Sequence, residues 1–191
     1  MRWFLILLLL YSGASHALDT PILPLVSVQA SERDGHVLFN AQFLAPVTQA
    51  QAFAVLSDFD HMAEFMPNMS QSKVLSRQGN HWHIRQQGQL QLGPISMTLD
   101  SERDIEIQPM EQITARSINS SNGAFSSRMQ LQAQGRYTQM NYQADWIPNS
   151  ALMRTLGKQH LQTHIAQQFG AMQKEMLRRG KLALASAPQG F

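Results

Sequence analysis

The chain has 191 residues, with 15 lysines and arginines against 13 acidic residues, and it contains no cysteine. This near-neutral charge, without a basic cluster, argues against nucleic acid as a partner. The lack of cysteine excludes a disulfide framework and a cysteine-linked lipid anchor. The length suits a single domain that can bury a core and enclose a cavity.

The first 17 residues have the three-part layout of a secretory signal peptide. Arg2 precedes an apolar run over residues 3–11, and small residues follow up to the ending Ser-His-Ala at residues 15–17. This ending predicts cleavage after Ala17 and a periplasmic or secreted protein. The alternative is a retained anchor, but the apolar run is shorter than the roughly 20 residues that a spanning helix needs. We therefore expect no stable membrane insertion after cleavage.

Residues 18–35 are predicted to be an extended leader or the first strand of a hairpin. The stretch 25–30 can pair with the strand pattern at residues 37–44 across a turn at residues 31–35. The domain itself is expected to span residues 36–182, followed by a flexible C-terminal tail at residues 183–191.

Two short helices are predicted after this strand. Thr48 is a candidate N-cap for a helix that ends near Leu56. The next stretch, residues 58–69, is a short apolar helix interrupted by Pro67 and Asn68, and it leads directly into a strand. A loop on the protein surface is rarely so apolar, so we expect this segment to cover another part of the fold.

Residues 70–146 alternate between strand patterns and short turns, which predicts an antiparallel meander of six strands. Alternation places apolar side chains on one face and Gln, Glu, Asp and Arg on the other. A long helix, from Ala151 to about Arg179, follows this sheet. At 1.5 Å per residue it is about 40 Å long, so it can cover the apolar face.

This order of elements resembles the helix-grip fold of the START-like superfamily, SRPBCC, also called the polyketide cyclase/dehydrase and lipid transport group, which includes the coenzyme Q-binding proteins. The sequence segments on which this resemblance rests are FAVLSDFD at residues 53–60, FMPN at residues 65–68 and SKVL at residues 72–75. The resemblance implies an α+β helix-grip (Bet v 1/START-like) fold, with a curved antiparallel sheet wrapped around a long C-terminal helix. It also implies a cavity beneath that helix, closed by the two short helices acting as an apolar lid.

Polar residues on the inward side of the strands are the informative candidates, because a buried polar group is costly without a partner. Gln86 and Arg103 interrupt apolar positions, and Arg103 would present a guanidinium to a carboxylate, carbonyl or phosphate. The alternative is a bulge that turns Arg103 to solvent. His160 and His164 stand one helical turn apart without a third metal ligand, so they either line the cavity or lie on a partly exposed helix flank.

The predicted ligand-binding residues share an expected position on the cavity wall or lid. They are Phe59, Met62, Phe65, Met66, Trp82, Gln86, Met97, Arg103, Met129, Tyr142, Leu156, His160 and His164. No catalytic residue, metal site or cofactor is predicted, since the chain has no nucleophile elbow, phosphate loop or inward pair of carboxylates.

The functional hypothesis is an exported binding or carrier protein for a hydrophobic small molecule, such as a lipid, an isoprenoid quinone or a polyketide-like compound. Its only expected membrane interaction is transient. One alternative is an aromatase/cyclase-like enzyme that uses the same cavity. Another is a protein-interaction module whose cavity has collapsed.

Overall fold

A computed structural model describes residues 26–92 and 95–185. The predicted signal peptide at residues 1–17, residues 18–25 of the predicted leader, and residues 186–191 of the predicted tail lie outside the described residues. The cleavage site after Ala17 therefore stays a prediction.

The described chain forms one eight-stranded antiparallel sheet and three helices. The strands are β1 Val28–Arg33, β2 His36–Ala45, β3 Met69–Gln78, β4 His81–Leu92, β5 Ile95–Gln108, β6 Gln112–Ser120, β7 Ala124–Gln134 and β8 Tyr137–Ile147. The helices are α1 Gln49–Leu56, α2 Met62–Phe65 and α3 Ala151–Ala185, and a 3-10 turn at Phe59–His61 precedes α2. The sheet order β1-β2-β8-β7-β6-β5-β4-β3 confirms the predicted helix-grip fold.

The N-terminal hairpin is present. Residues 28–33 pair with β2, from Val28 opposite Ala41 to Arg33 opposite His36. Asp34 and Gly35 between them have φ values of 51° and 83°, as a two-residue hairpin turn requires. Residues 28–33 thus form the first strand of the sheet.

Helix α1 begins where the sequence predicts. The Thr48 hydroxyl accepts a hydrogen bond from the backbone N–H of Gln51, and the Gln51 side-chain oxygen accepts one from the backbone N–H of Thr48. This capping box satisfies N–H groups that the first helical turn leaves free. Helix α3 continues to Ala185, past the expected end near Arg179, and it takes in the start of the predicted tail.

The core lies between the concave face of the sheet and α3. Phe169 of α3 stacks on Phe43 with ring centroids 4.8 Å apart and meets Tyr142 edge-on at 4.7 Å. Gln173, also buried, donates a hydrogen bond to the Leu44 carbonyl at 2.8 Å. These contacts anchor α3 across β2 and β8. Within residues 26–92 and 95–185, no helix combines the length and apolar character needed to cross a membrane.

Candidate ligand-binding site

A cavity of about 160 Å³ lies between the concave face of the sheet, α2 and the middle of α3. Much of its wall is apolar, and five of the side chains that line it are methionines: Met62, Met66, Met69, Met129 and Met172. Methionine is flexible and polarizable, so this wall can adapt to apolar molecules of different shapes.

Eight of the predicted ligand-binding residues line this cavity. They are Phe59, Met62, Met66, Gln86, Arg103, Met129, Tyr142 and His164. Leu156 lies outside the side chains that the structure describes. The remaining four predicted residues do not line the cavity: Phe65, Trp82, Met97 and His160.

Phe65 and Trp82 pack beside the cavity wall and do not line it. Helix α2 is only four residues long, and its Phe65 faces a surface groove between α2 and α3, with the Arg179 guanidinium 5.7 Å from its ring. Trp82 meets Phe59 edge-on at 5.9 Å and carries the guanidinium of Arg77 at 4.3 Å. Both aromatic rings therefore pack outside the cavity, Phe65 toward the groove and Trp82 against Phe59.

Met97 and His160 are also displaced from the cavity. Met97 forms a small separate cluster with Leu90, against which Leu161 of α3 packs. His160 is half-buried and does not line the cavity, whereas His164 one turn later is 4% exposed and does. His164 therefore lies on the cavity wall, whereas His160 lies on the partly exposed flank of the helix.

A row of three polar side chains crosses the inner face of the sheet, and only Gln86 among them lines the cavity. Ser72, Gln86 and Ser101 lie opposite one another on β3, β4 and β5. The Gln86 side-chain amide donates to the Ser72 hydroxyl at 3.2 Å, and Arg103 Nε donates to the Ser101 hydroxyl at 3.1 Å. The serine that does line the cavity is Ser127 on β7, and it was missed as a site residue.

Arg103 remains on the inward face because the irregularity in this part of the sheet falls on the neighbouring strand. Strand β5 pairs with β4 without any register shift. Opposite Glu102 and Arg103, β6 carries one extra residue, Ile118, and absorbs the bulge. Burial lowers the pKa of Arg103, but an arginine remains a cation in a protein.

Tyr142 and His164 are neutral at neutral pH. Burial raises the pKa of Tyr142 to about 12, although the Arg103 charge and a hydrogen bond with Ser127 oppose the increase. Burial lowers the pKa of His164 below its ordinary value. The Gln168 amide lies 3.0 Å from His164 Nε2 and can only donate there, so the neutral ring carries its proton on Nδ1. This Nδ1 has no hydrogen-bond partner among the described residues.

Residues 66–69 form a thin wall between the cavity and the surface, which we term the gate segment. Met66 and Asn68 line both the cavity and the groove between α2 and α3, a hollow of about 1080 Å³. The Asn68 carbonyl accepts a hydrogen bond from the backbone N–H of Gln89 at 2.9 Å. A Cβ on Gly88 would lie 2.2 Å from that carbonyl oxygen, so glycine permits the close approach.

A charged network ties the lid to α3 behind the gate segment. Arg179 contacts Asp58 and Glu175, each at 2.7 Å, and His61 lies 2.6 Å from Asp58. Hydrogen bonds from Arg178 and Arg179 lower the pKa of Glu175 to about 2. Burial alone would raise the pKa of Asp58, but hydrogen bonds with His61 and Arg179 outweigh burial and lower it.

The described cavity wall carries one cation, Arg103, and no Asp or Glu. Over residues 26–92 and 95–185, no three metal-ligating side chains converge. The arrangement can therefore enclose an apolar molecule and donate hydrogen bonds to it from Arg103, Tyr142 and His164.

Comparisons with known proteins agree with this fold. A family model described as polyketide cyclase/dehydrase and lipid transport matches residues 45–169. The Zhui aromatase/cyclase from Streptomyces sp. R1128 is 15% identical with a TM-score of 0.66, over 82% of this chain and 99% of its own. A STAR-related lipid transfer protein from Xanthomonas axonopodis is 12% identical with a TM-score of 0.58, over 80% and 99%.

Human STARD10 is a further similar structure, 12% identical with a TM-score of 0.61, and the match covers 87% of this chain and 78% of that protein. No curated protein sequence matches the chain. At these identities the structural likeness concerns the fold alone.

Proposed function

Since the chain belongs to the polyketide cyclase/dehydrase and lipid transport family, we propose that it binds a hydrophobic small molecule in the cavity and carries it without altering it. The ligand classes are a lipid, an isoprenoid quinone or a polyketide-like compound. The observation that carries the proposal is the cavity itself, with its methionine-rich wall and its few polar groups.

The size of the cavity implies that the gate segment moves when a ligand binds. A cavity of about 160 Å³ is close to the ~150 Å³ that holds a molecule such as benzene. Pockets for larger ligands span ~300–1,000 Å³. A lipid therefore displaces Met66 and Met69 toward the surface groove, which offers about 1080 Å³ immediately outside.

The proposed carrier is exported, with its signal peptide removed after Ala17. The groove beside the gate segment includes the apolar residues Phe65 and Pro67, and its charged residues are Lys174, Arg178, Glu64 and Glu175. A transient contact of this surface with a membrane is how the carrier would take up and release a lipid.

Native mass spectrometry of the protein purified from its own periplasm tests the proposal. We expect an additional mass from a bound molecule that solvent extraction releases. Ala115→Leu adds three carbon atoms inside the cavity, and it should reduce the co-purified ligand. Thr114→Leu places the same side chain on the outer face of the same strand and should leave the ligand content unchanged. Equal ligand content in both variants, or a protein recovered in place of a small molecule, would contradict the carrier function.

An aromatase/cyclase-like enzyme is the second candidate, and the neutral His164, which lines the same cavity as Tyr142, favours it. A neutral imidazole with an unpartnered Nδ1 and a phenol can exchange protons with a bound substrate. Incubation of the extracted ligand with the protein distinguishes the two functions. Loss of one water from the ligand, abolished in His164→Ala, would establish the enzyme, whereas an unchanged mass agrees with a carrier.

A further inference from the structure

We propose that the ligand is a monoanionic amphiphile whose carboxylate binds Arg103 inside the cavity. This inference rests on the proposed function, because it assigns the ligand class of the same cavity. The size and apolarity of the cavity do not distinguish such an anion from a neutral ligand such as a quinone. The inference therefore narrows the proposed ligand classes by charge.

The first argument is the unused hydrogen-bonding capacity of Arg103. A guanidinium has five N–H donors in a planar fork. One of them, Nε–H, donates to the Ser101 hydroxyl at 3.1 Å. The guanidinium also lies 5.7 Å from the centre of the Phe125 ring. No other hydrogen-bond acceptor within residues 26–92 and 95–185 meets this group, so its terminal nitrogens remain available to a planar, two-oxygen acceptor.

The second argument is the charge balance of the cavity. Glu102 and Asp104 flank Arg103 in sequence, but strand alternation puts them on the opposite face, and neither lines the cavity. Arg103 is half-buried, and a cation that loses part of its hydration without gaining an anionic partner is destabilising. A bound carboxylate supplies the missing charge. It would thus be favoured over a neutral ligand of the same shape.

The third argument concerns the number of charges. Tyr142 and His164 remain neutral donors, which leaves a single positive charge on the described wall. A carboxylate carries one negative charge and matches it. A phosphate monoester carries about −1.5 to −2 at pH 7, so it would bring uncompensated negative charge into the cavity. The hydroxyl of Tyr142 and the Nδ1–H of His164 are further donors on the wall of the same cavity.

The test compares dodecanoate with 1-dodecanol, which has the same chain and no charge, by isothermal titration calorimetry. We expect the wild-type protein to bind dodecanoate about 10- to 100-fold more tightly, the range of a charge-assisted hydrogen bond. Arg103→Met should abolish this preference. Arg103→Lys, which keeps the charge and loses the fork, should retain part of it. Arg128→Met is the matched control, because Arg128 is exposed on the outer face.

Equal binding of the acid and the alcohol by the wild-type protein would overturn the inference and leave the proposed function standing. An undiminished preference in Arg103→Met would overturn it as well. If Arg103→Met does not fold, as judged by circular dichroism, the Arg103→Lys variant decides by the same comparison. Failure of both amphiphiles to bind would instead refute the proposed function, and the inference with it.

Discussion

Replacing Gly88 with alanine places a methyl group against the backbone of the gate segment. The new Cβ would lie 2.2 Å from the Asn68 carbonyl oxygen and 3.2 Å from Met69 Cα. Relief requires a movement of about 1 Å, since ordinary contacts of a Cβ atom begin at 3.4 Å. Asn68 has little freedom to move, because its φ is already 62°.

The expected cost follows from the two interactions that this movement disturbs. Weakening the 2.9 Å hydrogen bond from Gln89 to Asn68 costs about 0.5–1.5 kcal/mol. Steric strain from the added methyl group costs about 1–3 kcal/mol. We therefore expect Gly88→Ala to lower the free energy of unfolding by about 2–4 kcal/mol, and to speed the release of dodecanoate because the gate segment is displaced.

Urea denaturation measures the stability and stopped-flow displacement measures the release rate. Gly170→Ala is the control, since a Cβ at Gly170 in α3 has no neighbour within 4 Å. Alanine there should stabilise the helix by about 0.5–1 kcal/mol. A Gly88→Ala protein whose unfolding midpoint and release rate both equal those of the wild type would refute the reasoning about the gate segment.

Three further predictions concern the core, the charged network and the N-terminus. Phe169→Ala removes the ring stacked between Phe43 and Tyr142, and it should lower the free energy of unfolding by about 3–5 kcal/mol in urea denaturation. The depressed pKa of Glu175 stabilises the fold above its unfolded value of 4.5, and this stability is lost as pH falls toward about 2. Glu175→Gln should therefore flatten the dependence of stability on pH in that window, and an unchanged slope would exclude this carboxylate as the cause. Mass measurement of the exported protein should give Leu18 as its first residue, whereas retention of residues 1–17 would contradict signal cleavage.

The order of elements was predictable because strand alternation and short turns leave few ways to arrange six consecutive strands. The inward position of Gln86 and Arg103 followed from the same alternation. It held for Arg103 only because β6, with Ile118, absorbs the bulge, and nothing in the sequence of β5 indicates where that bulge falls.

The wall of the cavity was predictable only in part. Helix α2 has a single turn, too short for its periodicity to show that Met62 and Met66 face inward while Phe65 faces the groove. Ser127 was overlooked because serine is common on either face of a strand. Its parity was the available signal, since Ser127 alternates with Met129 along β7.

Strand β2, near the start of the described chain, makes contacts with elements near the end, β8 and α3. His36 on β2 meets Asp145 on β8, 109 residues later, and the Leu44 carbonyl meets Gln173 of α3, 129 residues later. At the ribosome, the first hairpin therefore stays without these neighbours until β8 and α3 have been synthesised. Pairings over such distances also slow folding. Late folding of this kind would leave the nascent chain unfolded for longer, which would favour the export that we propose.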